Sequence, residues 1–153
     1  MLTDEQYMQL ALEEAKKAAT MNETPVGAVI VNNADGEIVG KGYNTTERDH
    51  SPLAHAELNA IRKATRRLDT KWLTDCTIYV TLEPCPMCAG AISSTRIKRL
   101  VYGAFDEKGG ACASLFNLYD YPVNHKPMVR SRVLEAECGA VLSEFFKKLR
   151  NQY

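Results

Sequence analysis

Apolar residues recur along the chain with two different periods, and the change of period divides it into helices and strands. From Thr3 to about residue 20, Tyr7, Leu10, Ala11, Ala15 and Ala18 fall at helical spacing behind a Thr3–Gln6 capping-box pattern. Residues 26–31 follow Pro25 as an unbroken apolar run, the composition of a buried strand. Asn33-Ala34-Asp35-Gly36 is turn chemistry and residues 37–43 alternate, so the two runs predict a hairpin. A polar loop over residues 44–51 leads to Pro52. A helix is predicted over residues 53–68, with Leu58, Ile61 and Ala64 on its buried side and Pro52 suited to its first turn.

Residues 77–82 are β-branched and apolar, as a central strand is, and Pro84 and Pro86 end them. Residues 87–94 predict a helix whose Ala89, Gly90 and Ala91 permit close packing, and residues 99–102 another strand. Gly109-Gly110 interrupts the chain, and Tyr119-Asp120-Tyr121-Pro122 fits no regular element. A last strand is predicted over residues 129–134. An amphipathic helix follows over residues 135–150, with Val141, Leu142, Phe145 and Phe146 on one side. Strands separated by helices predict an α/β fold with both faces of the sheet covered.

Composition narrows the class. The 153 residues suit one domain, 45% are hydrophobic and 25% charged, and no apolar run approaches the ~20 residues that cross a bilayer. The acidic, polar start (Met1 to Gln6) is unlike a secretory signal. Five cysteines, two of them in C-x-x-C, favour metal ligation in a reducing cytoplasm over a disulfide framework. The 19 basic and 19 acidic residues cancel, so any nucleic-acid contact rests on local patches such as Arg96/Lys98/Arg99 or Lys147/Lys148/Arg150; solvated faces are the plainer account of both.

The candidate chemistry lies in His55-Ala56-Glu57 and Pro84-Cys85-Pro86-Met87-Cys88. One imidazole and two thiolates make three ligands, which leaves a tetrahedral zinc one open position, as catalytic zinc requires. Glu57 is then free to move the protons of an activated water. Helix N-termini at both segments favour the thiolate forms of Cys85 and Cys88. The alternative is a closed structural site that borrows a fourth ligand from His50, Cys76, Cys112, Cys138 or His125, although none of these forms a second close pair. Glu57 stands two positions from His55, so in a regular helix it would point elsewhere. Cys76, Cys112 and Cys138 read as small core residues.

H-x-E followed by P-C-x-x-C is the pattern of the zinc-dependent nucleobase deaminases. Together with Asn44, residues 80–91, Val101-Tyr102-Gly103-Ala104, Asn124-His125, Phe145-Phe146 and Arg150, it resembles the bacterial tRNA-specific adenosine deaminases over nearly the whole chain. The chain departs from that pattern at Thr45-Thr46 and at Cys112-Ala113. The resemblance implies a three-layer α/β/α sandwich with a central mixed five-stranded sheet, a single zinc-dependent deaminase domain over residues 1–153, and a cytoplasmic homodimer acting on a tRNA anticodon stem-loop. It implies one Zn2+ per subunit on His55, Cys85 and Cys88, with Glu57 as proton shuttle while zinc-activated water attacks adenine C6. It further implies substrate contacts from Asn44, Ala56, Pro84, Asp106, Lys108, Phe146 and Arg150. A deaminase of a free nucleobase or nucleoside, guanine or cytosine type, would share the zinc site. A non-catalytic zinc-holding subunit is the third reading, and the retained Glu57 argues against it.

Overall fold

The computed structural model describes residues 1–152. Four helices and five strands alternate as α1 (Asp4–Thr20), β1 (Gly27–Asn32), β2 (Ile38–Tyr43), α2 (Ala56–Leu68), β3 (Cys76–Leu82), α3 (Pro86–Ser94), β4 (Arg99–Ala104), β5 (Met128–Arg130) and α4 (Glu135–Asn151). The strands form one mixed sheet in the order β2-β1-β3-β4-β5, antiparallel across β2, β1 and β3 and parallel across β3, β4 and β5.

Period-2 alternation sorts the sheet's side chains between two layers of helix. Ala28, Ile30, Ile78, Val80, Leu100 and Tyr102 pack with α2 and α3. Val29, Val31, Tyr79 and Val101 point the other way and pack with α1 and, through Cys138 and Val141, with α4. The result is the expected three-layer α/β/α arrangement. The capping box forms as written: the Thr3 hydroxyl accepts from Gln6 N–H at 3.2 Å and the Gln6 side chain accepts from Thr3 N–H at 2.9 Å.

Two predicted boundaries move. Helix α2 begins at Ala56, not residue 53, because Thr45 N–H donates to the Ala54 carbonyl (3.0 Å) and His55 is extended at φ −74°, ψ 156°. Pro52 and Leu53 therefore lie in the preceding turn, and Leu53 is exposed. Ile61 and Ala64 lie on the buried face of α2 as predicted, and Leu58 does not. Ala56, Ala60 and Ala64 face the sheet while Leu58 is only half-buried. Gly40 and Gly42 of β2 explain this: a Cβ on Gly42 would overlap the Ala56 carbonyl and Ala60 N–H, so helix and strand approach at backbone distance. Such a close approach admits alanine and excludes leucine.

Strand β5 is three residues long, not residues 129–134. Arg132 (φ 69°) and Leu134 (φ 53°) adopt left-handed backbone, which breaks the extended run. The unassigned segment forms a 3-10 turn, Leu118–Asp120, anchored by the buried Tyr119, whose hydroxyl donates to the Ala89 carbonyl at 2.9 Å.

Asp4 ties the N-terminus of α1 to the sheet, and it claims Arg99 from the first basic cluster. It accepts from Arg99 (2.8 and 2.6 Å), from Arg130 and from the Tyr79 hydroxyl (2.7 Å). The Arg99 guanidinium, against the opposing effect of burial, holds the Asp4 carboxyl well below the usual range, with Tyr79 and Arg130 adding to it. A carboxyl depressed in the folded state stabilises above its unfolded pKa of about 4, and that contribution disappears as pH falls through the folded value. Asp4→Asn is thus expected to lower stability by about 2 kcal/mol at pH 7 and to flatten the loss of stability below about pH 4. Urea unfolding at pH 7 and pH 3 measures both; an unaltered acid limb would contradict the assignment.

Candidate active site

Strands β3 and β4 run parallel and end together at Leu82 and Ala104, and the N-termini of α2 and α3 meet beside the Leu82 end. Side chains at this edge therefore converge without any long loop to carry them. His55 is the N-cap of α2, and Cys85, extended at φ −74°, ψ 173°, is the N-cap of α3 with Pro86 in the first turn. Cys88 follows one turn into α3 and is wholly buried.

His55 Nδ1 lies 3.6 Å from Cys85 Sγ and 3.5 Å from Cys88 Sγ. Zinc bonds of ~2.3 Å to sulfur and ~2.0 Å to nitrogen at a tetrahedral angle give an edge of about 3.5 Å. Both His55–Cys separations therefore already match the edges of a zinc tetrahedron. The three donor atoms lie within 4.8 Å of one another, and no fourth His, Cys, Asp or Glu joins them among the described residues. His125 instead contacts the Ile97 carbonyl at 2.7 Å, and His50 is exposed. Cys76, Cys112 and Cys138 are buried, and burial pushes their thiols up to about 11, 12 and 12, as neutral core groups. A closed structural site thus lacks its fourth ligand.

The two cysteines of the triad are strongly coupled. A hydrogen bond from Cys88, opposed by burial and aided by His55, draws Cys85 down to about 4. Cys88 is driven upward by Cys85, burial and the Glu57 charge. One thiolate forms readily and a second needs a cation between them, which is what a divalent metal supplies. His55 is raised, chiefly by its contact with Cys85.

Glu57 is buried, 4% exposed, and lines the same cavity as His55 and Cys85. The two-residue spacing that would separate them within a helix is defeated by His55, whose extended backbone lies outside α2. Burial pushes the Glu57 carboxyl up to about 7. The cavity measures about 240 Å3, and Asn44, Ala56, Leu82 and Asp106 are also on its wall. Asn44 is pinned only loosely: its Oδ1 accepts from Thr46 N–H at 3.3 Å and its Nδ2 donates to the Thr24 carbonyl at 3.4 Å.

Beyond Thr24, Leu82 and Asp106 the cavity adjoins a groove of about 690 Å3, which Phe105, Lys108, Phe146 and Arg150 help to line. Lys108 and Arg150 are exposed, and Phe146 is 40% exposed. Pro84 is buried, its carbonyl accepts from Ala111 N–H at 2.9 Å, and it is absent from the cavity wall. Sequence reasoning missed two buried glutamates, Glu83 on the cavity wall and Glu23 next to the wall residue Thr24. Glu23, 2% exposed, accepts from the Glu47 and Arg48 amides at 3.0 and 2.8 Å. Glu83, also 2% exposed, closes an apolar strand where a buried acid needs donors; that oddity is the one clue the sequence held.

Residues 1–104 match the cytidine and deoxycytidylate deaminase zinc-binding region. The chain is 48% identical to the tRNA-specific adenosine deaminase of Bacillus subtilis, over 99% of this chain and 94% of that one. A solved structure from work on A-to-I editing by tRNA:A34 deaminases at the wobble position of transfer RNA superposes with a TM-score of 0.86. It is 43% identical, over 90% of this chain and 99% of that chain. The guanine deaminase of Bacillus subtilis is more distant, at 34% identity and a TM-score of 0.66, over 98% of this chain and 95% of that chain.

Proposed function

Since this chain belongs to the zinc-binding cytidine and deoxycytidylate deaminase family, and within it to the tRNA-specific adenosine deaminases, we propose that it converts adenosine to inosine at the wobble position of a tRNA anticodon. The observation that carries this reading is the convergence of His55, Cys85 and Cys88 with a buried carboxylate, Glu57, that is not part of the ligand cluster. Zinc on the three donors supplies positive charge and lowers the pKa of a water towards neutrality.

The protein's own groups do the rest. Glu57 takes a proton from the attacking water as the C6–O bond forms and delivers it to N1 of the purine. It then carries the remaining hydroxyl proton to the 6-amino group as the C6–N bond breaks, so that water and adenosine give inosine and ammonia. A carboxyl poised near neutrality can both accept and return a proton. Asn44 has hydrogen-bonding capacity left over and offers it to the base, while Ala56 contributes its backbone beside it. The cavity, about 240 Å3, has room for a single base.

The groove beside the cavity favours a nucleotide within RNA over a free base. Asp106 stands at the passage between the two; Lys108 and Arg150 offer cations to phosphate, and Phe146 offers a face on which a neighbouring base can stack. Arg150 is the member of the second basic cluster that lines this groove. We place the enzyme in the cytoplasm as a homodimer; reduced cysteines support the first, and exposed Trp72, Leu115 and Tyr121 the second. No helix among the described residues is long and apolar enough to cross a membrane.

The test is direct. Purified, zinc-loaded protein, sized on a column as a dimer, is assayed on an anticodon stem-loop and on free adenine, guanine, cytosine and their nucleosides. Inosine should form in the stem-loop, with KM rising steeply with salt, and Lys108→Ala should lower that salt slope by roughly one. Turnover of a free base alone would place the chain with the guanine deaminases in activity, and zinc without any turnover would leave it a non-catalytic subunit.

A further inference from the structure

Beside the metal ligands lies a carboxylate that the deamination chemistry does not use. Oε1 of Glu83 accepts the Asp106 N–H at 3.0 Å and the Ser114 hydroxyl. Oε2 accepts the N–H groups of Cys112 (3.1 Å), Ala113 (2.8 Å) and Ser114 (2.9 Å). One side chain thus gathers donors from both ends of the loop over residues 106–114. Ala111 N–H adds a bond to the Pro84 carbonyl, and Gly110 N–H one to Asp106. Gly110 passes so near that a Cβ there would fall inside the Glu83 carboxylate, so the glycine and the acid are complementary parts. The same loop presents Asp106 to the inner cavity and Asp106, Glu107 and Lys108 to the outer groove.

The geometry points to Glu83 as a positioning residue for the nucleic-acid substrate, holding the loop over residues 106–114 as a pre-formed wall between the base cavity and the groove. The inference rests on the reading of that cavity as the adenosine site. A loop that is competent only part of the time weakens apparent affinity by the competent fraction, while bound substrate still reacts at the normal rate. Loss of the clamp should therefore appear in KM and leave kcat alone.

Glu83→Gln keeps the shape and turns one acceptor into a donor, so in either amide orientation an N–H group faces N–H groups. Expected for this variant is a KM for the stem-loop raised about 10- to 100-fold, with zinc content and kcat held within roughly threefold. Hydrogen exchange at the amides of residues 112–114 should accelerate at least about tenfold, with the amides of β1 and β3 unchanged. Gly110→Ala should reproduce both signatures from the opposite side, and it carries the test if Glu83→Gln fails to fold. The double variant should be no worse than the poorer single one, because both release the same clamp.

A fall in kcat at constant KM, a loss of zinc, or additive single effects would overturn the assignment. Exchange depends on no substrate. If wild-type protein ignores the stem-loop, the functional reading fails and the exchange result still decides the clamp: protected amides in both variants would sink it.

Discussion

Glu57→Gln is expected to cut inosine formation by about three to four orders of magnitude while the purified protein retains its zinc. The side chain is 4% exposed, and burial raises its carboxyl to about 7. Glutamine fills nearly the same volume and leaves packing intact, but it cannot pick up and return a proton. A single positioned acid or base is worth roughly 10²–10⁴-fold, and in the proposed mechanism one group serves both the attack of water and the departure of ammonia. The loss should therefore sit at the upper end. Glu57 lies outside the His55–Cys85–Cys88 cluster, so metal content should not follow activity down. Zinc assay and inosine chromatography on one preparation measure both. Zinc lost in step with activity would make Glu57 a support of the metal centre, and the shuttle role would have to be abandoned.

Cys88→Ala should have the opposite signature, with metal, turnover and stability lost together. Cys88 is fully buried at the head of α3, and its thiol resists ionisation because Cys85, burial and Glu57 all oppose a second negative charge there. A dication would reverse that balance, and in return it would tie α3 to His55, the residue that caps α2. Deleting one of three protein ligands should weaken zinc by well over the roughly 10- to 100-fold that loss of an outer hydrogen bond costs. Dialysis against a mild chelator, followed by metal analysis and thermal unfolding, would show it. Cys138→Ala removes a buried thiol outside the triad and serves as the control, with zinc expected to stay at the wild-type level. A Cys88→Ala protein that kept zinc and activity would remove this residue from the centre.

Much of the element order was legible because it is local. The capping box at Thr3, the apolar run behind Pro25 and the prolines flanking Cys85 each act within a few residues, and each element formed where those signals lie. The boundaries that moved were decided at a distance. Leu58 has the right spacing to be buried on α2, yet the face that meets Gly40 and Gly42, on a strand formed earlier in the chain, is that of Ala56, Ala60 and Ala64, and Leu58 is left half-buried beside it. The predicted last strand has suitable composition as far as Val133, but Arg132 and Leu134 take left-handed backbone to turn the chain into α4.

By itself the sequence determined the donors of the metal site. C-x-x-C at a helix start brings two sulfurs together through local geometry alone, and the H-x-E pattern names the remaining donor and the carboxylate we propose as proton carrier. Only the tertiary structure decided that His55 and Glu57 serve one cavity, since this depends on an extended His55 held by the loop behind it. It also decided that Glu83 is a clamp, because its donors lie some 23 to 31 residues further along the chain. Hydrogen bonds of that span leave no periodicity in a sequence; they exist only once the sheet has brought the ends of β3 and β4 side by side.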